Sequence, residues 1–489
     1  MKRIAKHTLI FLTLALNFGC NEWMDLIPPE GLIREEFWTT KEDVEAVLMG
    51  AYESFAVMDG KLFRYGELRG DMIRADVNLG GSERNIMEGN IYPDNYLCNW
   101  QDFYQVIDYC NEVIVNAPEV KKIDNTFTDY QLQGYLSEAI FLRSLSYFYL
   151  VRIFRDVPYV TEPTISDESN IYVPKSSGDE ILQQLIIDLE DIRPFATIDG
   201  YPTITENKGR ATKAAIDALL ADIALWRFDY EAVLEYVGRI EANEDYVLLP
   251  SGKWFEIYYP GNSLEGIFEF QFDTELNQDN SMFGLTRYNS YNIDPSQKAL
   301  EFFAKEYAKE LVRGEDASIA KRGEDDYIIW KYLGRSNDGA TERTGSDQRS
   351  CNWIVYRLAD VLLMKAEALS QLEHFPEALD ILNDIRERAD VPPLKLANSA
   401  SAYEDAILEE RAREMAFEGK RWFDLMRMGR RNNFSRKSKL IEIIVQNVPS
   451  TQKRILSIKL NNPLGWYLPI HEEEIERNKA LVQNPYYNF

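Results

Sequence analysis

Histidine is nearly missing from this chain: His7, His374 and His471 are the three in 489 residues. A nucleophilic triad with a histidine base is therefore excluded, unless His471 serves alone. No HExxH, GxSxG, Walker or GxGxxG signature is present, and no Cys/His set has zinc spacing. Cysteine is scarce as well, with four residues. One falls at position 20, and Cys98, Cys110 and Cys351 form no disulfide framework; sequence does not say whether any two of them pair. Glycine and proline number 26 and 19, few for a turn-rich all-β chain, which favours helices. Bases are outnumbered, 54 Lys and Arg against 80 Asp and Glu, and the net charge of −26 repels nucleic-acid phosphates. Beyond the first twenty residues no apolar run is long enough to cross a bilayer.

The N-terminus carries a targeting pattern. "MKRIAKHTLIFLTLALNFGC" has Lys2, Arg3 and Lys6, then an apolar run from Thr8 to Leu16, then Gly19-Cys20. A secretory signal over 1–19 fits, and a cysteine at the cleavage edge predicts a lipoprotein acylated on Cys20. Asn17 stands where a lipobox has Leu, so plain secretion is the alternative. Residues 20–38 read as a tether, stiffened by Pro28-Pro29.

The rest reads as one compact unit in three stretches: helical over 39–253, loop-rich over 254–350 and helical again over 351–489. Val44, Val47, Leu48, Ala51, Tyr52 and Phe55 have helical spacing, with Thr39 or Thr40 as cap. "YLSEAIFLRSLSYFYLVRIF" is apolar around most of its circumference and should be a central helix ending near Asp156. Two stretches run helix, turn, helix, each with a turn aromatic (Tyr230, Phe375) and Glu-Ala just after. They look like tetratricopeptide hairpins, which must stack on neighbours to bury their faces. "GIFEFQFDTE" alternates, predicting a half-buried strand with Phe268, Phe270 and Phe272 inward and Glu269, Gln271 and Asp273 outward. "DMIRADVNLGGSE" resembles a calcium loop in composition only, since the EF-hand spacing fails. Neither metal nor cofactor is expected.

"EERAREMAFEGKRWFDLMR", residues 409–427, crowds five acids and five bases together. Glu410, Glu414 and Glu418 lie four apart, and Arg413, Arg421 and Arg427 fall three or four residues from partners, as helix-supporting pairs do. Ala412, Met415, Ala416, Gly419, Phe423 and Met426 form an apolar stripe beside them. Such a helix reads as a packing element before it reads as an active site.

This segment resembles the C-terminal signature of the SusD/RagB family of outer-membrane nutrient-binding lipoproteins. Three further stretches agree in order: "EAIFLRSLSYFYLVRIFRDVPYV", with Arg155 where the family often has Gly; "VYRLADVLLMKAEAL"; and "GWYLPIHEEEIERNKALVQNPYY", with Ile470-His471 replacing the usual Ile-Pro. The resemblance implies a mainly α fold, a SusD-like scaffold of tetratricopeptide-like hairpins with short β-strands in the variable middle. It implies no enzymatic activity. It implies a SusC-like, TonB-dependent outer-membrane barrel as partner, with an oligosaccharide, or in RagB-like members a peptide, captured on the outer face. The charged segment, shared by members with different ligands, is then fold or partner surface.

Sugar rings offer apolar C–H faces to aromatic planes and hydroxyl edges to Asn, Asp, Gln and Arg. In the family, ligand residues come from the loops after the first helices and from the middle, here roughly 66–100 and 254–335. From composition, the first stretch offers Asp71, Arg84, Tyr92, Asn95 and Tyr96. The second offers Tyr288, Asn289, Tyr291, Trp330 and Tyr332. Trp100, Trp353 and Trp422 are assigned to structure.

Overall fold

The first long helix among the described residues starts at a reciprocal cap. The Thr40 amide donates to the Asp43 carboxylate (2.7 Å) and the Asp43 amide donates back to the Thr40 hydroxyl (3.3 Å). In the computed structural model, which describes residues 37–75, 79–164, 172–197, 200–287, 293–308, 310–324 and 326–488, this cap opens α1 (Lys41–Ala56). Next come α2 (Asp59–Glu67), β1 (Ile73–Ala75), α3 (Gly81–Met87), α4 (Gln101–Ile123) and α5 (Asp129–Phe154). The central helix expected from the sequence is α5, with almost every side chain from Ser137 to Phe154 buried. It stops at Arg155, whose φ of +74° and ψ of −70° are costly for any residue with a Cβ. Glycine in the resembling motif has this physical reason.

The chain continues through β2 (Val157–Pro158), β3 (Lys175–Ser176), α6 (Gly178–Ile192), α7 (Ile204–Gly209) and the first hairpin, α8 (Lys213–Trp226) with α9 (Tyr230–Glu241). The middle region contributes β4 (Gly266–Phe270), α10 (Met282–Thr286), β5 (Ile293–Pro295), α11 (Gln297–Phe303), β6 (Ile319–Lys321), β7 (Tyr327–Ile329) and β8 (Trp353–Arg357). The second hairpin is α12 (Leu358–Gln371) with α13 (Phe375–Arg388), followed by α14 (Ala400–Glu414), α15 (Arg421–Phe434), α16 (Lys437–Gln446), α17 (Ser450–Leu460) and α18 (Glu472–Arg477). Although far apart in sequence, the hairpins stack directly, α9 on α12, and α12 in turn packs on α14. The described strands pair antiparallel in twos: β1–β5, β2–β3, β4–β8 and β6–β7.

The largest core runs through the helices, a smaller one (Leu363, Leu382, Ile385, Tyr403) lies between α12, α13 and α14, and Trp254, Phe255, Tyr258, Phe283, Ile328 and Trp330 anchor a third in the middle region. Trp100, Trp353 and Trp422 are buried, as assigned. Cys98, Cys110 and Cys351 are buried free thiols. The strand β4 departs from expectation. All five of its residues are buried, because the loop at Gly261-Asn262, Asn352 and Lys208 of α7 close over Glu269, while Asp273, beyond the strand, stays exposed as expected. Glu269 meets that burial by accepting from the Asn262 amide (3.2 Å) and Asn352 Nδ2 (2.9 Å).

Residues 409–427 also depart from a single helix. α14 ends at Glu414, and the chain turns through Phe417 (φ +67°) and Gly419 (φ +71°) before α15. A Cβ on Gly66 of α2 would lie 1.9 Å from the Gly419 carbonyl oxygen, so glycine alone permits this approach. Most ion-pair partners are remote rather than one helical turn away. Glu414 accepts from Arg357 (2.7 Å), Arg313 (2.8 Å) and Arg388 (2.5 Å). Glu418 accepts from Arg357, Lys331 and Tyr258, each at 2.9 Å. Glu410 joins Arg313 and Arg386, both at 2.8 Å. Burial by itself would raise the Glu414 carboxyl, but Arg388, Arg357 and Arg313 override it and hold the group well below the usual range. Arg313 and Lys331 come from the middle region, so the network rivets the loop-rich stretch to the helical scaffold.

Candidate functional site

The two stretches singled out for ligand contact meet at β1–β5. Ile73 pairs with Pro295, Arg74 with Asp294 and Ala75 with Ile293. Arg74 and Asp294 form an ion pair across the strands at 3.3 Å, on the surface. Helix α2 joins the same two stretches from below. Asp59 accepts from the Ser281 hydroxyl (2.7 Å) and amide (2.8 Å) at the start of α10. One turn on, Arg64 donates to Glu83 of α3 (3.2 Å), and the Tyr96 hydroxyl donates to the same carboxylate oxygen (2.7 Å).

Tyr96 is thus an exposed ring on a fixed post. It opens the 3-10 turn Tyr96–Cys98, which Asn95 caps through its side-chain oxygen on the Leu97 amide. Burial, the Glu83 bond and the Glu83 charge raise its phenol pKa against the opposing pull of Arg64, so the hydroxyl stays neutral. Tyr92, 56 % exposed, stands four residues before it, and Arg84 is half-buried on α3. Two aromatic planes beside a tyrosine–glutamate–arginine chain can stack on an apolar face and hydrogen-bond to hydroxyls.

Four of the ten expected contact residues are withdrawn to the interior. Asp71 is closed in a two-pronged pair with Arg421 (2.6 and 3.0 Å). Asn95 is spent on its capping bond and on the Ser82 carbonyl. Trp330 belongs to the middle core and donates from Nε1 to the Ser336 carbonyl (2.7 Å). Tyr332 donates to the Phe417 carbonyl (2.7 Å) and stacks on Trp353. Tyr288, Asn289 and Tyr291 lie outside the described residues, as does Cys20. Arg64, Glu83, Arg74 and Asp294 were missed, since none sits in a motif and their partners are set by tertiary contact. Among the described residues no His, Cys, Asp and Glu group can hold a metal ion. His471 caps α18, accepting from the Glu473 amide, rather than serving as a base. Three grooves, of about 710, 470 and 430 Å³, have no β1 or β5 residue in their lining, and a small pocket of about 20 Å³ is lined by Ile86, Met87, Gly89 and Ile91 beside α3.

Known proteins bear on this geometry. Residues 265–487 match the SusD family, and residues 22–225 match the family described as "starch-binding associating with outer membrane". SusD-like protein P38 of Formosa agariphila is 27% identical over 98% of this chain and 99% of its own length. Two solved structures share the fold. The surface glycan-binding protein A of Bacteroides uniformis has a TM-score of 0.75 at 22% identity, covering 91% of this chain and 100% of its own. A laminarin-binding SusD-like protein has a TM-score of 0.71 at 21% identity, covering 91% of this chain and 99% of its own. With both halves matched, the helical fold shared and its hairpins stacked as that fold requires, the chain belongs to the SusD family.

Proposed function

We propose that this protein is a non-catalytic, cell-surface lipoprotein, anchored through Cys20, that captures an extracellular oligosaccharide and hands it to a SusC-like, TonB-dependent barrel in the outer membrane. The carrying observation is the Tyr92–Tyr96 pair, exposed on a loop whose geometry α2, α3 and a capped 3-10 turn fix in advance. Rigid aromatic planes bind with little ordering cost. Family membership supports the reading, as do the names of two structural neighbours, one a surface glycan-binding protein and the other a laminarin binder. Tyr288, Asn289 and Tyr291 are proposed to complete the site from the second stretch, with Arg84 at its edge.

The test is calorimetry on the mature chain with starch, laminarin, xylan, mannan and host glycans, beside a peptide pool. Saturable binding of one glycan, without release of reducing ends, is expected. Binding of peptides alone would move the protein to the RagB-like reading, and cleavage of a polymer would end both. Membrane partitioning that survives Cys20→Ser would end the lipoprotein claim.

A further inference from the structure

A second aromatic surface stands at the other end of α5. Tyr130, in the first turn of that helix, is 71 % exposed, and Phe195 is 49 % exposed. Both line an open groove of about 710 Å³, with Pro194 beside them and Gln133, Lys213 and Asp245 at the rim. The rings rest on rigid supports. A reciprocal cap between Thr128 and Gln131 holds the start of α5. The turn Arg193–Phe195 is tied down by Arg193, which grips Asp217 with two bonds of 2.5 and 2.7 Å. Neither ring contributes to a core, so folding gives no reason for two hydrated aromatics in one groove. Among the described residues the side chains of Gln133, Lys213 and Asp245 carry no hydrogen bond or ion pair. Their donors and acceptors face water beside the rings. Asp129 lines the groove as well, 3.6 Å from Lys121, so two carboxylates stand against Lys213 in the lining, which disfavours an acidic sugar and leaves an uncharged one as the match.

The position of the groove matters as much as its lining. Trp100, four residues beyond Tyr96, packs on Phe154 at the C-terminal end of α5, with ring centroids 5.3 Å apart. Tyr130 sits at the N-terminal end, and 24 residues of helix separate the two ends by about 36 Å. Resting on the glycan-capture reading above, we propose that the Tyr130–Phe195 groove is a second binding site for a neutral oligosaccharide, and that one long chain engages it together with the Tyr92–Tyr96 loops. Once one end is held, the other site sees the chain at a raised local concentration, so affinity grows with chain length without new contacts.

The experiment is calorimetry of the mature full chain against a size-fractionated series, from disaccharide to long chains, of whichever polysaccharide in the panel binds. Wild-type affinity is expected to climb on the order of a hundred-fold once the chain spans both sites. The Tyr130→Ala/Phe195→Ala variant should keep the short-chain affinity and the melting temperature, because both rings are exposed, and lose the climb. The Tyr92→Ala/Tyr96→Ala variant should retain weak binding at the groove. A wild-type affinity independent of length, or a climb that survives loss of Tyr130 and Phe195, would overturn the second site and leave glycan capture standing. Failure of every glycan of every length would bring down the capture reading and this inference together.

Discussion

Residues 409–427 and residues 79–98 are both short, polar and studded with aromatics, yet they do opposite work. The first carries ten charges and hides most of them: Glu410, Glu414, Glu418 and Arg421 are buried and satisfied by partners drawn from across the chain. The second carries few charges, and keeps Tyr92 and Tyr96 in water. Charge density marks the lock of this fold, whereas exposed rings on a fixed loop mark its candidate contact surface. The lesson is that a buried cluster whose carboxylates are each closed by several cations has no free acceptor left for a substrate.

The comparison breaks most severely at Arg357, which serves Glu265, Glu414 and Glu418 at once. Arg357→Met takes from those buried carboxylates the one cation they share, leaving Arg313, Arg388 and Lys331 to hold them, and should cost about 3–5 kcal/mol, read by urea unfolding. Any fraction that folds should keep its ligand affinity. Tyr92→Ala with Tyr96→Ala should do the reverse. Affinity should fall by about 1–3 kcal/mol in calorimetry, as for exposed aromatic anchors, while stability falls by about 1 kcal/mol, the worth of the Tyr96–Glu83 bond. Equal losses of stability in the two variants would erase the distinction.

The lock should also be visible in pH dependence. Burial would raise the Glu367 carboxyl, but Arg427 and Arg431 override it and lower it to about 2. Its contribution is therefore present above the ordinary glutamate value and lost as pH falls from about 4.5 towards 2. Burial raises Glu67 the other way, to about 8, against backbone amides at the Gly419 turn. Its neutral form is favoured on folding, so it removes stability as pH rises from about 4.5 to 8. Each slope is at most about 1.4 kcal/mol per pH unit. Glu367→Gln should flatten the acid limb of a stability–pH curve and Glu67→Gln the neutral limb; unchanged limbs would mean that other groups set them. The smallest effect is expected at Arg155→Gly, which removes the strained left-handed cap and should add about 1 kcal/mol to the unfolding free energy, unless loss of the Arg155–Asp156 pair offsets it.

Much of the architecture was legible because it is written locally. The Thr40 cap, the circumferential apolarity of α5 and the turn aromatics Tyr230 and Phe375 all act within a few residues of themselves. Accessibility is not local. Asp71 looked like a ligand residue until Arg421, 350 positions away, closed on it. Trp330 and Tyr332 belong to the short apolar run YIIWKYL inside a polar region, and lie inside cores in space. The alternation of β4 predicted a wet face that, at Glu269, the Gly261-Asn262 loop, Asn352 and Lys208 cover. The charged segment was correctly assigned to packing, but its pairs were expected one helical turn away, where the sequence shows candidates. The β1–β5 meeting of the two stretches gave no signal, since three-residue strands carry no pattern.

The rivets at Arg313 and Lys331 stand at the roots of the irregular middle, and the chain between Lys331 and Trp353 hangs largely outside them. A protein fastened at its hinges in this way can have its panels swapped. Insertions and exchanges in the outer loops leave the fastening intact, so one chassis can carry different loop surfaces without relearning how to fold.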